Sequence, residues 1–254
     1  MEISLSGKYR RYHGAAKKPK SIRLLLKRFI QVLSCVTVFF AVGYAVFWCF
    51  DPAHFPITSV KFSGQRHYLT QEELREAILP EIKAGFFRLK VSTLQQRLLS
   101  LPWIKQADVR KVWPDQLVVR FEEHSPAAYW DDKGIISELG TCFYPDLTKM
   151  KALDLPSLKG PEGKSSFIWQ QFLAMEDILA PLKLNITQVY LAPRGAWQVQ
   201  LSNGITVVLG TNDTLARLKR FVSAYEKHLK DHEKKMAYVD LRYTNGMAIG
   251  WNAG

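Results

Sequence analysis

Cysteine is scarce in this chain of 254 residues, and the few thiols are badly placed to pair. Cys35 and Cys49 lie inside a long apolar run, and Cys142 is the single cysteine that follows it. An intradomain disulfide is therefore excluded for the region after the run. The stability of that region must come from ordinary hydrophobic cores.

Catalytic motifs are missing as well. No serine lies in a nucleophile-elbow context, and no glycine-rich phosphate loop is present. Glu122 and Glu123 are adjacent on a predicted strand and point to opposite faces, so they cannot act as a carboxylate pair. His228 and His232 share a helical face, but Leu229 occupies the position where a metalloprotease helix carries its glutamate base. We therefore expect no enzyme activity, no metal and no cofactor.

Acidic residues are outnumbered, 23 against 35 Lys and Arg, which gives a formal net charge of +12. Residues 1–28 carry nine Lys and Arg and one Glu, so this segment holds +8 and the 204 residues after the apolar run hold only +4. A basic segment beside an apolar run is explained by membrane topology and by attraction to anionic lipid. A nucleic-acid-binding arm is the weaker alternative for it.

The apolar run covers residues 29–50, which are 22 residues without a charge. As a helix it is about 33 Å long, enough to cross the hydrocarbon core of a bilayer. It is too long for the core of a cleaved signal peptide, and Phe47, Trp48 and Phe50 stand where small residues would be needed. Because positive charge precedes it, the run predicts a single-pass anchor with residues 1–28 in the cytosol.

Residues 56–125 form the first predicted folded unit, in the order strand, helix, helix, strand, strand. Thr70 and Glu73 have the spacing of a capping box at the start of the first helix. Alternating and helical apolar patterns define the rest. The predicted elements are a strand at 57–63, a helix from Thr70 that ends at Pro80, a helix at 92–101, and strands at 106–112 and 117–123.

Residues 126–254 form the second predicted unit, which is mainly β. Asn203-Gly204 predicts a type I′ hairpin, and basic residues on the longer helix, Arg217 and Arg220 among them, predict a solvated face. The predicted elements are two short strands around Leu139-Gly140, a loop at 155–163, a helix from Ser166 to Pro181, strands at 185–190, 197–202 and 205–209, a helix capped by Asp213 or Asn212, and strands at 237–243 and 247–251.

Three sequence blocks in register resemble a known family. They are Leu-Pro-Trp at 101–103, Ala-x-Val-Arg-Lys-x-Trp-Pro-Asp at 107–115 and Glu-x-x-Pro-x-Ala-x-Trp at 123–130. Together with the terminus from Tyr238 to Trp251, they are similar to the FtsQ/DivIB family of bacterial division proteins. The strand and helix order of the first unit resembles a polypeptide-transport-associated (POTRA) domain. For Trp103 and Trp113 we expect packing roles rather than ligand contacts.

The resemblance implies an α+β fold: a transmembrane helix at 29–50, a POTRA-like domain at 56–125 and a mixed or antiparallel β domain with two helices at 126–254. It also implies a non-enzymatic division scaffold of the bacterial inner membrane, at the septum, with its C-terminal domains in the periplasm. Family members bind the FtsB–FtsL pair and connect early and late division proteins. A membrane-anchored cell-wall enzyme or glycan-binding module is the alternative.

The expected partner site lies at the C-terminal strand, which ends the chain with a free outer side to which an FtsB-like partner can add a strand. In this interpretation the glycines allow close backbone approach and the aromatic residues are anchors. Arg194 can pair with a partner carboxylate. The residues that the resemblance assigns to this contact are Arg194, Arg242, Tyr243, Asn245, Gly246, Gly250 and Trp251.

Overall fold

The first helix, α1 (Ser21–Cys49), stands apart from the rest of the fold. The computed structural model describes residues 21–149, 152–244 and 246–252. Within α1, the 26 residues Leu24–Cys49 are long and apolar enough to cross a membrane, and none of them is buried against the protein. This placement agrees with the anchor that the sequence predicts, because an apolar helix with no protein cover needs another apolar environment.

A three-stranded sheet covered by two helices forms the first unit. The strand order is β1-β3-β2, with β1 parallel and β2 antiparallel to the central strand β3. The elements are β1 (Ser59–Ser63), α2 (Gln71–Ile82), α3 (Val91–Leu99), β2 (Ile104–Val112) and β3 (Gln116–Glu123). The order of strands and helices is the one predicted.

The capping box at the start of α2 is confirmed. The Glu73 backbone N–H donates to the Thr70 hydroxyl, and the Thr70 backbone N–H donates to the Glu73 carboxylate at 2.9 Å. The end predicted for this helix was wrong, because α2 continues through Pro80 to Ile82. A proline in the last turn removes only one helical hydrogen bond, and the carbonyl that it leaves, on Glu76, is on an exposed residue.

Leucines and valines from both helices and the sheet fill the core of this unit. Leu74, Leu94 and Leu98 are fully buried beneath the helices, and Leu117 and Val119 cover the facing side of β3. Trp103 is buried, whereas Trp113 is 72 % exposed. The packing role predicted for Trp113 was therefore wrong, because it lies at the tip of the β2–β3 turn, where no described element covers it.

A nine-stranded sheet forms the second unit, in the order β12-β11-β10-β9-β8-β7-β4-β5-β6. Two helices, α4 (Ser165–Leu179) and α5 (Thr214–Ala224), pack on each other and on one face of the sheet. The strands are β4 (Pro126–Trp130), β5 (Gly134–Ser137), β6 (Cys142–Phe143), β7 (Ser157–Lys159), β8 (Ile186–Leu191), β9 (Trp197–Leu201), β10 (Thr206–Gly210), β11 (Met236–Asp240) and β12 (Ala248–Trp251).

Strand β7 was missed, since the sequence predicted a loop at 155–163. The three residues of β7 pair in parallel with β4 on one side and with β8 on the other. Leu158 is fully buried at its centre. A strand this short, flanked by Pro156 and Gly160, has no alternation to detect, and its hydrogen bonds come from distant segments.

The Asn203-Gly204 turn joins β9 to β10, but it is not the predicted type I′. Among the described residues of this turn only Gly204 has a positive φ, of 87°, and type I′ requires a positive φ at both central residues. Asp213 occupies the N-cap position of α5 with a φ of 49°, and within the described chain its side chain makes no capping hydrogen bond. The predicted long helix ends at Ala224 and continues as a π-helical turn from Tyr225 to Leu229.

The two units are joined by two residues and share part of one core. Strand β4 begins at Pro126, directly after β3 ends at Glu123. Ile135 and Phe143 come from the second unit but pack into the core of the first. The Phe143 ring lies 5.0 Å from the Trp103 ring. The orientation of one unit relative to the other is therefore fixed by buried side chains.

Candidate functional site

The last strand, β12, is an edge of the nine-stranded sheet, as the sequence predicted. It pairs with β11 on one side, and no described residue pairs with its outer side. The Asn252 backbone N–H donates inward to the Lys235 carbonyl at 2.7 Å. Because donors alternate along an antiparallel strand, the backbone N–H groups of Ile249 and Trp251 point outward. These outward donors are the ones that an added strand would use.

Gly250 provides space for an aromatic ring of the same chain. It lies opposite Tyr238 on β11, and a Cβ placed on it would come within 2.6 Å of the Tyr238 Cζ. We expected this glycine to leave room for a partner backbone; here the Tyr238 ring fills that room. Gly246 differs, because a Cβ placed there would have no neighbour within 4 Å. On the sheet face, the space at Gly250 is therefore used by Tyr238, and the approach of a partner backbone along the outer edge of the strand stays a prediction.

An arginine from α5 holds the turn between β11 and β12. The Arg220 guanidinium donates to three carbonyl oxygens of that turn: Leu241 at 3.1 Å, Tyr243 at 2.9 Å and Thr244 at 2.6 Å. The predicted solvated face was wrong for this residue and for Arg217, which donates to the Leu209 carbonyl at 2.6 Å. Three charge-assisted hydrogen bonds from one planar group fix the backbone that presents Tyr243.

The two aromatic residues of the predicted site are exposed. Tyr243 is 58 % exposed on the turn, and Trp251 is 52 % exposed at the end of β12. The Trp251 ring lies 6.3 Å from the His232 ring, which comes from the segment that precedes β11. Because Trp251 is three residues along the strand from Ala248, it lies about 10 Å from the turn end of β12. Asn245 lies outside the described residues.

Arg194 and Arg242 line one groove of about 350 Å³ at the end of the sheet. Arg194 is in the β8–β9 turn, and Arg242 follows β11 directly. Gly210, at the end of β10, allows this approach, because a Cβ there would lie 2.8 Å from the Arg217 Nη1 and 3.1 Å from the Arg242 Cγ. Arg194, Arg217 and Arg242 thus line one groove together with Gly210.

Asp240 is the buried acid of this cluster. Its carboxylate accepts hydrogen bonds from the Arg242 Nη2 at 2.6 Å and from the Arg242 Nε and backbone N–H at 3.0 Å. The hydrogen bond to the Arg242 side chain holds the pKa of Asp240 below its ordinary value. Arg242 already has its carboxylate partner, whereas no described acidic side chain pairs with Arg194. Arg194 is the guanidinium left for an external acid.

The structure thus divides the predicted residues between two neighbouring places. Arg194 and Arg242 line the groove, while Tyr243, Gly246, Gly250 and Trp251 follow the turn and the edge strand. Sequence reasoning missed Tyr238 and Arg220 as parts of the site. The signal for Tyr238 was its position on the polar side of the β11 alternation; nothing in the sequence pattern indicated that Arg220 would cap backbone carbonyls.

The described part of the chain contains no group of three or more His, Cys, Asp or Glu side chains that could hold a metal ion. The groove beside Arg194 is open and basic, and its wall is formed by strand and turn residues. What the arrangement offers chemically is main-chain hydrogen bonding along β12, two aromatic anchors and a cationic pocket.

An apolar helix, a POTRA-like unit and a β unit that ends in a free edge strand define a membrane-anchored POTRA-domain protein. The model of the family "POTRA domain, FtsQ-type" matches residues 55–124, and that of "Cell division protein FtsQ/DivIB, C-terminal" matches residues 128–242. The second match ends at Arg242, so Tyr243 to Trp251 lie beyond it.

Relatives named "Cell division protein FtsQ" align with most of the chain. The relative from Escherichia coli strain K12 is 34 % identical over 226 residues, which are 87 % of this chain and 82 % of that protein. The relative from Xanthomonas campestris is 37 % identical over 76 % of this chain and 69 % of its own length. The relative from Coxiella burnetii is 28 % identical over 95 % of this chain and 99 % of its own length. The chain therefore belongs to the FtsQ/DivIB family and is a cell division protein with a POTRA domain.

Proposed function

We propose that this protein is a non-enzymatic division scaffold whose edge strand β12 binds the FtsB–FtsL pair and so connects early and late division proteins. Its place is the bacterial inner membrane at the septum, with the N-terminus in the cytoplasm and both folded units in the periplasm. The observation that carries the proposal is the outer side of β12, which pairs with no described strand and is flanked by the exposed aromatic residues Tyr243 and Trp251.

Backbone hydrogen bonding is the first source of affinity. A free edge strand risks aggregation, and proteins usually cover or charge such an edge. The exposed edge of β12 carries Trp251 instead of a charge. An extended partner segment that pairs with the outward Ile249 and Trp251 donors would satisfy them and would continue the sheet.

Side chains at the turn end of β12 provide the second source. Large amphipathic residues such as Tyr243 dominate interface energies when a partner covers them. Arg194, Arg217 and Arg242 line one groove, and Arg242 is already bound to the Asp240 carboxylate. We therefore expect the bound FtsB segment to carry a carboxylate that reaches Arg194 in bidentate geometry.

The first test compares exposed aromatic residues at the two edges of the sheet. Tyr243→Ala and Trp251→Ala should each weaken binding of the full chain to the FtsB–FtsL complex by about tenfold or more. Tyr144→Ala is the matched control, because Tyr144 is 61 % exposed beside β6, the opposite edge. The measurement is binding by calorimetry in detergent, with melting curves for each variant. Unchanged binding in both test variants would remove the proposed site.

The second test separates the backbone from the side chain at one position. Ile249→Pro removes an outward N–H donor, whereas Ile249→Ala keeps the donor and removes more of the side chain. If a partner strand pairs there, the proline variant should bind FtsB–FtsL much more weakly than the alanine variant at similar melting temperature. Equal binding by the two variants would contradict strand addition.

The proposed topology has its own measurement. A cysteine in place of Arg10, in a background without the native cysteines, should resist a membrane-impermeant thiol reagent in spheroplasts. The same reagent should label Lys219→Cys, on the exposed side of α5. Labelling at position 10 in sealed spheroplasts would overturn the orientation.

A further inference from the structure

Aromatic side chains form a continuous cluster where the anchor helix meets the first folded unit. The Trp48 and Phe55 ring centroids are 5.8 Å apart, those of Phe50 and Phe87 are 6.2 Å apart, and those of Phe55 and Phe87 are 5.1 Å apart. The cluster leads from the last turn of α1, through the linker, to the loop between α2 and α3. These ring contacts thus connect the last turn of α1 to the folded unit through the linker.

Backbone contacts fix this loop to the linker. The Phe86 backbone N–H donates to the Phe55 carbonyl at 2.8 Å. Gly85 has a φ of 79°, and a Cβ there would lie 2.8 Å from the Pro52 Cα, so only glycine fits. The Lys111 ammonium, at the end of β2, donates to the Phe86 carbonyl at 2.7 Å. The loop is therefore held from both sides.

The turn between β2 and β3 lies at the same end. The Thr58 backbone N–H, which follows the linker, donates to the Asp115 carbonyl at 3.1 Å. This bond places the β2–β3 turn, which contains Trp113, beside the start of β1. Trp113 is 72 % exposed and Phe87 is 39 % exposed. Trp113 is thus largely open to solvent, and Phe87 keeps part of its ring exposed.

Basic residues lie in the same loop as Phe87. The α2–α3 loop carries Lys83, Arg88 and Lys90, all exposed. The nearby acids are engaged by other groups: the Asp51 carboxylate lies 3.5 Å from the His54 Nδ1, and the Asp115 carboxylate accepts the Thr58 hydroxyl. The loop therefore presents cations that no described acid neutralises, and Phe87 in the same loop keeps part of its ring exposed.

We propose that this end of the POTRA unit, defined by Lys83, Phe87, Arg88, Lys90 and Trp113, binds the surface of the lipid bilayer that α1 crosses. Phe87 and Trp113 enter the headgroup region, where amphipathic aromatic rings are favoured. The three cations contact lipid phosphates, and anionic lipid strengthens the contact. Because the second unit shares a core with the first, this contact also sets the height of β12 above the membrane. The inference requires the anchor but not the partner strand.

The test uses an environment-sensitive fluorophore on the full chain in nanodiscs. Phe87→Cys and Trp113→Cys are labelled one at a time in a background with Cys35, Cys49 and Cys142 replaced by serine. Tyr190→Cys is the matched control, since Tyr190 is 40 % exposed on the open face of the other sheet. Lipids that carry a nitroxide at the headgroup should quench the probes at 87 and 113 severalfold more than the probe at 190. Equal quenching at all three positions would overturn the proposal.

Charge reversal tests the role of the basic residues. The triple variant carries Lys83→Glu, Arg88→Glu and Lys90→Glu. All three side chains are exposed, so its melting temperature should equal that of the natural chain. In nanodiscs with anionic lipid, the triple variant should lose most of the quenching at position 113, and the natural loop should lose part of it at high salt. Unchanged quenching in the triple variant would overturn the electrostatic contact. Tyr243→Ala should leave the quenching intact, which distinguishes this surface from the partner site.

Discussion

Gly250 determines the structure of the edge strand because it is the residue over which the Tyr238 ring lies. An aromatic ring that packs on a cross-strand glycine covers backbone that would otherwise be open, and it keeps a flat strand in register. This local arrangement leaves the outer side of β12 free for a partner. The glycine is therefore required by the fold itself, whatever binds outside.

We predict that Gly250→Val destabilises the protein by about 1–3 kcal/mol, because the new side chain overlaps the Tyr238 ring. Tyr238→Ala removes the obstacle, so the double variant should lose less stability than the two single losses added together. Urea unfolding of the four chains measures this coupling. Strict additivity would show that the ring and the glycine do not interact.

The Asp240–Arg242 pair makes stability depend on pH in a defined direction. Arg242 lowers the pKa of Asp240, so the folded state binds this proton more weakly than the unfolded state. The stabilisation is therefore complete above the ordinary carboxyl pKa of about 4 and is lost as the pH falls through the lower folded value.

We predict that Asp240→Asn costs about 1–2 kcal/mol at neutral pH. The difference from the natural chain should shrink as the pH falls below about 4, where both states become protonated. Asp108→Asn is the matched control, because Asp108 also pairs with an arginine two residues on, at 2.9 Å, but its side chain is 44 % exposed. It should cost less than about 0.5 kcal/mol. Unfolding curves recorded at several pH values measure these differences in stability. A loss of stability in Asp240→Asn that does not change with pH would contradict the ion pair.

At the scale of elements, the central strand β3 holds the first unit together. It pairs with β1 and β2, and its inward residues Leu117, Val119 and Phe121 are all buried. Gly64, after β1, faces the Phe121 ring, since a Cβ there would lie 3.3 Å from its Cζ. The Phe121 ring thus packs against the chain at Gly64, where β1 ends.

We predict that Phe121→Ala destabilises the first unit by about 3–5 kcal/mol, through lost burial and the cavity that remains. Arg120→Ala, the exposed neighbour on the same strand, should change stability by less than about 0.5 kcal/mol. Chemical denaturation followed by circular dichroism measures both. A small effect at Phe121 would mean that the surrounding side chains collapse into the space.

The elements that the sequence predicted well have strong local signals. The Thr70 capping box, the helical stripes and the alternating strands are all fixed by residues a few positions apart. Strand β7 was missed because its pairing is with distant segments. The type of the Asn203-Gly204 turn was wrong because the Leu201 backbone N–H donates to the Ile205 carbonyl, which leaves three loop residues between the paired positions instead of two. The order of elements and the edge position of β12 were correct. Arg220 was misjudged because only the folded turn provides its carbonyl partners.

At the scale of the whole molecule, the two units are less separate than the sequence indicates. A boundary at residue 125 follows from the end of the β3 pattern and from Pro126. The folded chain nevertheless places Ile135 and Phe143 in the core of the first unit, and the Phe143 ring stacks 4.7 Å from the His124 ring. A fragment that stops at residue 125 keeps every strand of its own sheet but loses this cover over Trp103.

We predict that the fragment 56–125 folds by itself, because about 70 residues can just sustain a core, but that it melts at a lower temperature than the same unit in the full chain. Without Phe143 and Ile135, apolar surface of the fragment is exposed to water. This exposure lowers the free energy of unfolding of a unit that is already small. In the full chain Phe143→Ala should also lower the melting temperature of the first unit.

Circular dichroism of the fragment provides the measurement, with Leu98→Ala in the fragment as an unfolded reference, since Leu98 is fully buried. An unfolded spectrum would contradict the prediction that the fragment folds. A melting temperature equal to that of the unit in the full chain would contradict the prediction that the fragment is less stable. The first result would make the shared core indispensable, and the second would make it irrelevant to stability.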